Sequence, residues 1–108
     1  GMSAEVDYTR GYPVVVNDAE ETARISRLQK EVMGEDNVID ITPQTSMEDF
    51  GYYLLERPGC FFIVGGTMPD SGDVFPHHHP NFNVDERSMI NIGKMFIATV
   101  FDYNGDER

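Results

Sequence analysis

The sequence predicts an α/β fold with the element order β-α-β-α-β-α. Three observations carry that expectation. Short β-rich runs alternate with segments of helical period. A clear apolar stripe follows Asn17. The run Cys60-Phe61-Phe62-Ile63-Val64 is apolar without alternation, as in a strand covered on both faces.

The elements follow in order. Residues 1–11 are polar and read as a flexible N-terminal segment. Tyr12-Pro13-Val14-Val15-Val16 reads as a short strand, with Pro13 confining it to a strand start or an edge. Asn17 can cap a helix over about residues 18–33, with Glu20 completing a capping box and pairing with Arg24 one turn on. Ala23, Ile25, Leu28 and Val32 form its apolar stripe, and Gly34 stops it. Asn37-Val38-Ile39-Asp40-Ile41 is the second strand. Ser46 can cap a second helix whose apolar face is Met47, Phe50 and Leu54, ended by Arg57-Pro58-Gly59. The run from Cys60 to Val64 is the third strand. A long loop, Gly65 to Pro80, follows, and loops of that length without structure of their own are usually functional. A last helix begins near Asp85, with Met89, Ile92, Phe96 and Val100 on one stripe, and residues 104–108 form a solvated tail. Three short strands leave exposed sheet edges, so a partner chain is expected to complete the sheet.

Composition removes several partners. The 108 residues carry 8 Lys+Arg against 19 Asp+Glu, a formal charge of −11. That excess disfavours nucleic acid and anionic membrane surfaces. No apolar run approaches the ~20 residues of a membrane span. The N-terminus lacks the basic head and apolar stretch of a secretory signal. Cys60 stands alone and can form no internal disulfide, so a cytoplasmic location is expected. On an apolar strand, its thiol reads as structural.

The strongest chemical feature is Pro76-His77-His78-His79-Pro80. Imidazole suits zinc, nickel, cobalt or manganese at neutral pH. In extended backbone His77 and His79 would share a side and His78 would face the other. A complete site needs three or four ligands, and the sequence has no second His or Cys cluster. A polar loop without a ligand role is the alternative. Glu48-Asp49 is the second feature. Two carboxylates at a helix start complement the helix dipole. They also stand where clefts open in α/β sheets, so they could line a substrate cleft or support a metal or a His.

Several motifs then align in one order: Glu48-Asp49-Phe50-Gly51-Tyr52-Tyr53-Leu54, Arg57-Pro58-Gly59-Cys60-Phe61-Phe62, Gly65, His78-His79-Pro80-Asn81-Phe82 and Asp85-Glu86. The set resembles the C-terminal part of the M20 metallopeptidase family, in particular its amidohydrolases that act on N-acyl amino acids, hippurate or indole-acetyl conjugates. The resemblance covers residues 12–103. It implies part of a three-layer, zinc-peptidase-like catalytic domain, in a family whose inserted lid domain usually dimerises. It implies a metal-ligand role for His78, which opens the H-[HS]-P motif, while His79 fills the variable second place and His77 lies outside it. It also implies a divalent metal (zinc, manganese, cobalt or nickel) in the complete site, where metal-bound water attacks an amide carbonyl with a Glu as general base. The upstream ligand pair and the paired Glu-Glu of the family have no counterpart in these residues. Ser46-Met47 also stand where the family usually has Gly and a small residue before Glu-Asp-Phe. The expectation is therefore a truncated amidohydrolase-like domain, inactive alone, with no catalytic residue of its own and a metal bound only in the complete site. It would be completed by an upstream chain or a homo-oligomer. The competing expectation is a non-catalytic assembly domain that dimerises through its sheet edges.

Overall fold

In a computed structural model the chain is helical, and the structure describes residues 1–105. Helix α1 spans Ala19–Met33, a single 3-10 turn spans Glu35–Asn37, α2 spans Phe50–Glu56, and α3 spans Arg87–Gly105. No strand forms among the described residues. The expected α/β order β-α-β-α-β-α, and with it the partial three-layer sheet, is therefore incorrect for this chain.

The physical reason lies in the three expected strands. Residues 12–16, 37–41 and 60–64 lie outside every helix but find no ladder partner. A strand is stable only when its N–H and C=O groups pair with a neighbour, and these segments have none within reach. The one pairing that survives is made by a side chain. The Asn17 carboxamide accepts from the Phe61 N–H at 2.8 Å and donates to the Phe61 carbonyl at 2.9 Å. That exchange reproduces one step of a ladder. Beside it the Asp18 N–H donates to the Gly59 carbonyl at 3.0 Å. Asn17 therefore holds segment 59–61 instead of capping α1. The cap is Asp18, whose carboxylate accepts from the Glu20 and Glu21 N–H groups at 3.0 Å each.

The packed part of the molecule is small. Ile25 and Leu28 of α1 meet Met95 of α3, with exposures of 7%, 4% and 1%, and Val32, Met33, Cys60, Phe62 and Ala98 pack around them. The α1–α3 contact is fixed at its edge by charge. Asp102 accepts from Arg24 and from Arg27, each at 2.6 Å, and Tyr103 donates its hydroxyl to Glu21. The Arg24 guanidinium also sits 4.4 Å from the centre of the Tyr103 ring. Arg24 thus bridges to α3, and its pairing within α1 is with Glu21 at 3.8 Å, not with the expected Glu20.

The packed face of α3 is not its most apolar one. Ser88 and Met95 are buried, and Asp102, one further step of seven residues on, is half-buried, as is Ile92 beside them. The expected stripe leaves Met89, Phe96 and Val100 exposed. Residues 60–64 behave likewise. Phe62 and Val64 turn inward and are half-buried, while Phe61 and Ile63 are exposed. The sequence read as a strand covered on both faces, and only one face is covered here. The radius of gyration is 18.3 Å and the extents are 69 × 43 × 19 Å. A closed domain of this length would have a radius near 13 Å. The molecule is an open slab whose second apolar surface has no cover among the described residues.

At its other end α3 runs through Asn104 and Gly105, beyond the solvated tail expected from residue 104. The rest of that tail, residues 106–108, lies outside the described residues. Helix α2 is shorter than expected at its start. Met47 is exposed and outside the helix, and Asp49 takes the capping position where Ser46 was expected. Arg57 ends α2, and its guanidinium donates to the Glu56 carbonyl at 2.8 Å. No helix among the described residues is long and apolar enough to cross a membrane.

Candidate functional site

The histidine loop is built between two anchors. The Asp85 N–H donates to the Gly66 carbonyl at 2.8 Å, which ties the end of the loop to its beginning. Val84 and Ser88 crowd Gly66, where a Cβ would lie 2.5 Å from the Val84 side chain. Glycine lets the two arms of the loop neck approach this closely without displacing the Val84 side chain. Asp85 then starts α3. Its carboxylate accepts from the Arg87 N–H at 3.0 Å and from the Arg87 guanidinium at 2.6 to 3.0 Å. Hydrogen bonding to Arg87 holds the Asp85 carboxyl below its usual value, and the pairing raises Arg87 in return.

Between the anchors, the three imidazoles are separated by a turn, not alternated along an extended segment. His79 lies flat on Phe75, with ring centroids 4.4 Å apart and planes 14° apart. Its Nδ1 accepts from the Asn81 N–H at 3.1 Å, which requires Nδ1 to be unprotonated. The His79 N–H donates to the Pro76 carbonyl at 3.2 Å, and the His79 carbonyl accepts from Phe82 at 2.9 Å. His77 meets Phe82 edge to face at 4.9 Å. His78 sits at the reversal, with a positive φ of 69°. Its ring touches the edge of His77 at 6.5 Å, and all three histidines are exposed.

The two carboxylates stand elsewhere. Glu48 accepts from the Phe50 N–H at 3.1 Å, so it satisfies an open donor at the start of α2. Asp49 makes no side-chain cap and is exposed. Among the described residues, no three His, Cys, Asp or Glu side chains converge so as to hold a metal ion. His78, Glu48 and Asp49 are therefore not gathered into one centre by this chain. An open groove of about 450 Å³ lies between the start of α1 and the end of α2, lined by Val16, Asp18, Leu54, Arg57 and Gly59 among others. None of the candidate residues lines it. Cys60 is half-buried, and burial pushes its thiol up, partly offset by a hydrogen bond with Thr22. This suits the structural role expected for it.

Two features escaped the sequence. Phe75 and Phe82 as ring partners leave only a weak signal, aromatic residues flanking a histidine run. Asp102 as a clamp was legible in principle, since it continues the Ser88–Met95 line at the next heptad step. The more apolar stripe on the same helix, Met89, Phe96 and Val100, masks that signal.

Comparison with known proteins agrees with the motif order. The chain is similar to a putative amidohydrolase, YhaA, of Bacillus subtilis, at 38% identity over 104 residues, covering 96% of this chain and 26% of that protein. It is similar to the N-acetyl-L-cysteine deacetylase of the same organism at 35% over 89 residues, covering 82% and 20%. It is similar to thermostable carboxypeptidase 2 of Saccharolobus solfataricus at 30% over 87 residues, covering 80% and 21%. The chain thus spans about a quarter or less of the length of these relatives. No solved structure matches it. The peptidase family M20/M25/M40 matches over residues 3–102, nearly the whole sequence, and the chain belongs to that family.

Proposed function

We propose that these residues form the C-terminal part of an M20-type amidohydrolase and contribute to its active centre only when joined to upstream polypeptide. The carrying observation is the ordered E-D-F, R-P-G and H-H-P motifs in a chain whose apolar surface is half uncovered. The family is generally metal-dependent. The residues present do not by themselves fit such a centre, because His78 offers one donor and no group of three converges among the described residues. In the completed protein His78 supplies one nitrogen ligand to a divalent metal (zinc, manganese, cobalt or nickel). Glu48, Asp49 and His79 border the cleft. The substrate class is an N-acyl amino acid, as the name of the deacetylase relative suggests for that protein.

A graft tests this reading. The matched segment of the N-acetyl-L-cysteine deacetylase is replaced by this chain, and acetate release from N-acetyl-L-cysteine is followed. The graft is expected to hydrolyse the substrate. His78→Ala should lower its rate by more than the roughly 10–100-fold typical of losing a mere supporting partner of a metal ligand. A His78→Ala graft as active as its parent would remove His78 from the centre. The 108-residue chain alone should show no metal-dependent turnover, and clear turnover would overturn the need for a completing segment.

The exposed apolar residues of α3 favour a second reading, in which the chain is a non-catalytic assembly domain that dimerises. Sedimentation at micromolar concentration separates the two. A well-defined dimer supports assembly, and a monomer argues against it.

A further inference from the structure

Three neighbouring exposed imidazoles would ordinarily compete for any electrophile or cation, since the imidazole ring offers an unshared nitrogen pair. This loop does not treat them alike. His79 is held on both sides of its chemistry, its face against Phe75 at 4.4 Å and its Nδ1 occupied by the Asn81 N–H at 3.1 Å. His77 is held edge to face on Phe82 at 4.9 Å. His78 occupies the left-handed turn between them, and its one ring contact is the edge of His77. The Pro76 carbonyl and the Phe82 N–H, bonded to His79 on either side, fix the turn that sets this order.

We propose that Phe75 and Phe82 are positioning residues, which hold His79 and His77 against the loop and so leave His78 as the imidazole it presents. The proposal deepens the reading of His78 given above and rests on it for its functional meaning. The selection itself is a property of the loop and can be measured without any hydrolytic assay. It also accounts for two aromatic side chains whose rings face histidines instead of the apolar core.

The test uses the full 108-residue chain. Long-range proton–nitrogen spectra of the imidazoles, recorded above the histidine titration range, report which nitrogen carries the proton. Modification by diethyl pyrocarbonate, read residue by residue by fragment mass spectrometry, reports which ring is free. In the unaltered chain His79 should be a single tautomer with its proton on Nε2, and His78 should react severalfold faster than His79 or His77. Phe75→Leu should mix the His79 tautomers and raise its reactivity towards that of His78, whereas Phe75→Tyr, which keeps a ring face, should restore the original pattern. Phe82→Leu should raise His77 alone. Mixed His79 tautomers in the unaltered chain, or three histidines of equal reactivity, would overturn the proposal. So would a Phe75→Leu chain indistinguishable from the original. Failure of the ligand reading looks different: the selection pattern persists while the His78→Ala graft keeps its activity.

Discussion

The α1–α3 pair and the extended segments 12–16, 37–41 and 60–64 all carry apolar side chains, yet only the first is fixed. The pair has its partners within the chain. Ile25, Leu28 and Met95 close a core, and Arg24 and Arg27 close the edge on Asp102. The extended segments have side chains suited to a sheet and no neighbouring strand, so their outward residues Tyr12, Val14, Ile39, Ile41, Phe61 and Ile63 stay exposed. Helices satisfy their backbone internally, whereas strands borrow satisfaction from a neighbour. The helices of this chain therefore hold by themselves, and its extended segments form no sheet among the described residues.

The largest effect should come from breaking the fixed region. Met95→Ala removes the most buried side chain, and large-to-small core changes cost about 2–5 kcal/mol. In so small a core that is expected to separate α1 from α3, seen as loss of cooperative helix melting. Phe96→Ala, one residue on but 62% exposed, should change the melting by no more than about 0.5 kcal/mol. Equal effects from the two would contradict the assignment of the packed stripe.

Next is the contact between α2 and segment 12–16. Gly51 is buried, and a Cβ there would lie 2.5 Å from the Pro13 carbonyl. Gly51→Ala should push segment 12–16 off α2 at a cost of about 1–3 kcal/mol, the usual range for overpacking. Loss of the edge contact between Tyr12 and Tyr52, followed by aromatic proton shifts, is the readout. An unshifted contact would show that the segment is held by something else. Asn17→Ala removes two hydrogen bonds to Phe61 and should cost about 1–2 kcal/mol, loosening residues 59–61 while α1 keeps its Asp18 cap. Unchanged exchange at Phe61 would count against that role.

The smallest effect is electrostatic. Hydrogen bonds from Arg27 and then Arg24 hold the Asp102 carboxyl below its usual value. A depressed carboxyl contributes stability above its unfolded value and loses it as pH falls towards the folded one. The clamp should therefore act at neutral pH and fade in acid, below the ordinary aspartate range. Asp102→Asn should flatten that acid limb, and added salt should weaken the clamp. An acid limb identical in Asp102→Asn would assign it to other carboxylates such as Asp85.

Much of this was legible in the sequence, and the failures share one cause. The limits of α1 followed from its stripe and Gly34 and the end of α2 from Arg57-Pro58-Gly59, whereas α2 starts later and α3 runs further than expected. The motif order gave the family. The strands failed because periodicity reports what a segment can pack against, not whether the partner is present. The α3 stripe failed similarly. Met89, Phe96 and Val100 are a real apolar face, but Ser88, Met95 and Asp102 match α1 better because Asp102 can reach two arginines. At the candidate site, His78 could be singled out by resemblance, whereas the turn that separates it from His77 and His79 depends on ring packing with Phe75 and Phe82, which spacing does not encode.

Residues 60–64 have no backbone ladder partner among the described residues, while α1 and α3 close on each other. Amide hydrogen exchange across the 108-residue chain tests this contrast most directly. Fast exchange is expected at Phe62, Ile63 and Val64, beside slow exchange in the middle of α1 and α3. Protection of residues 60–64 already present in the isolated chain would contradict it.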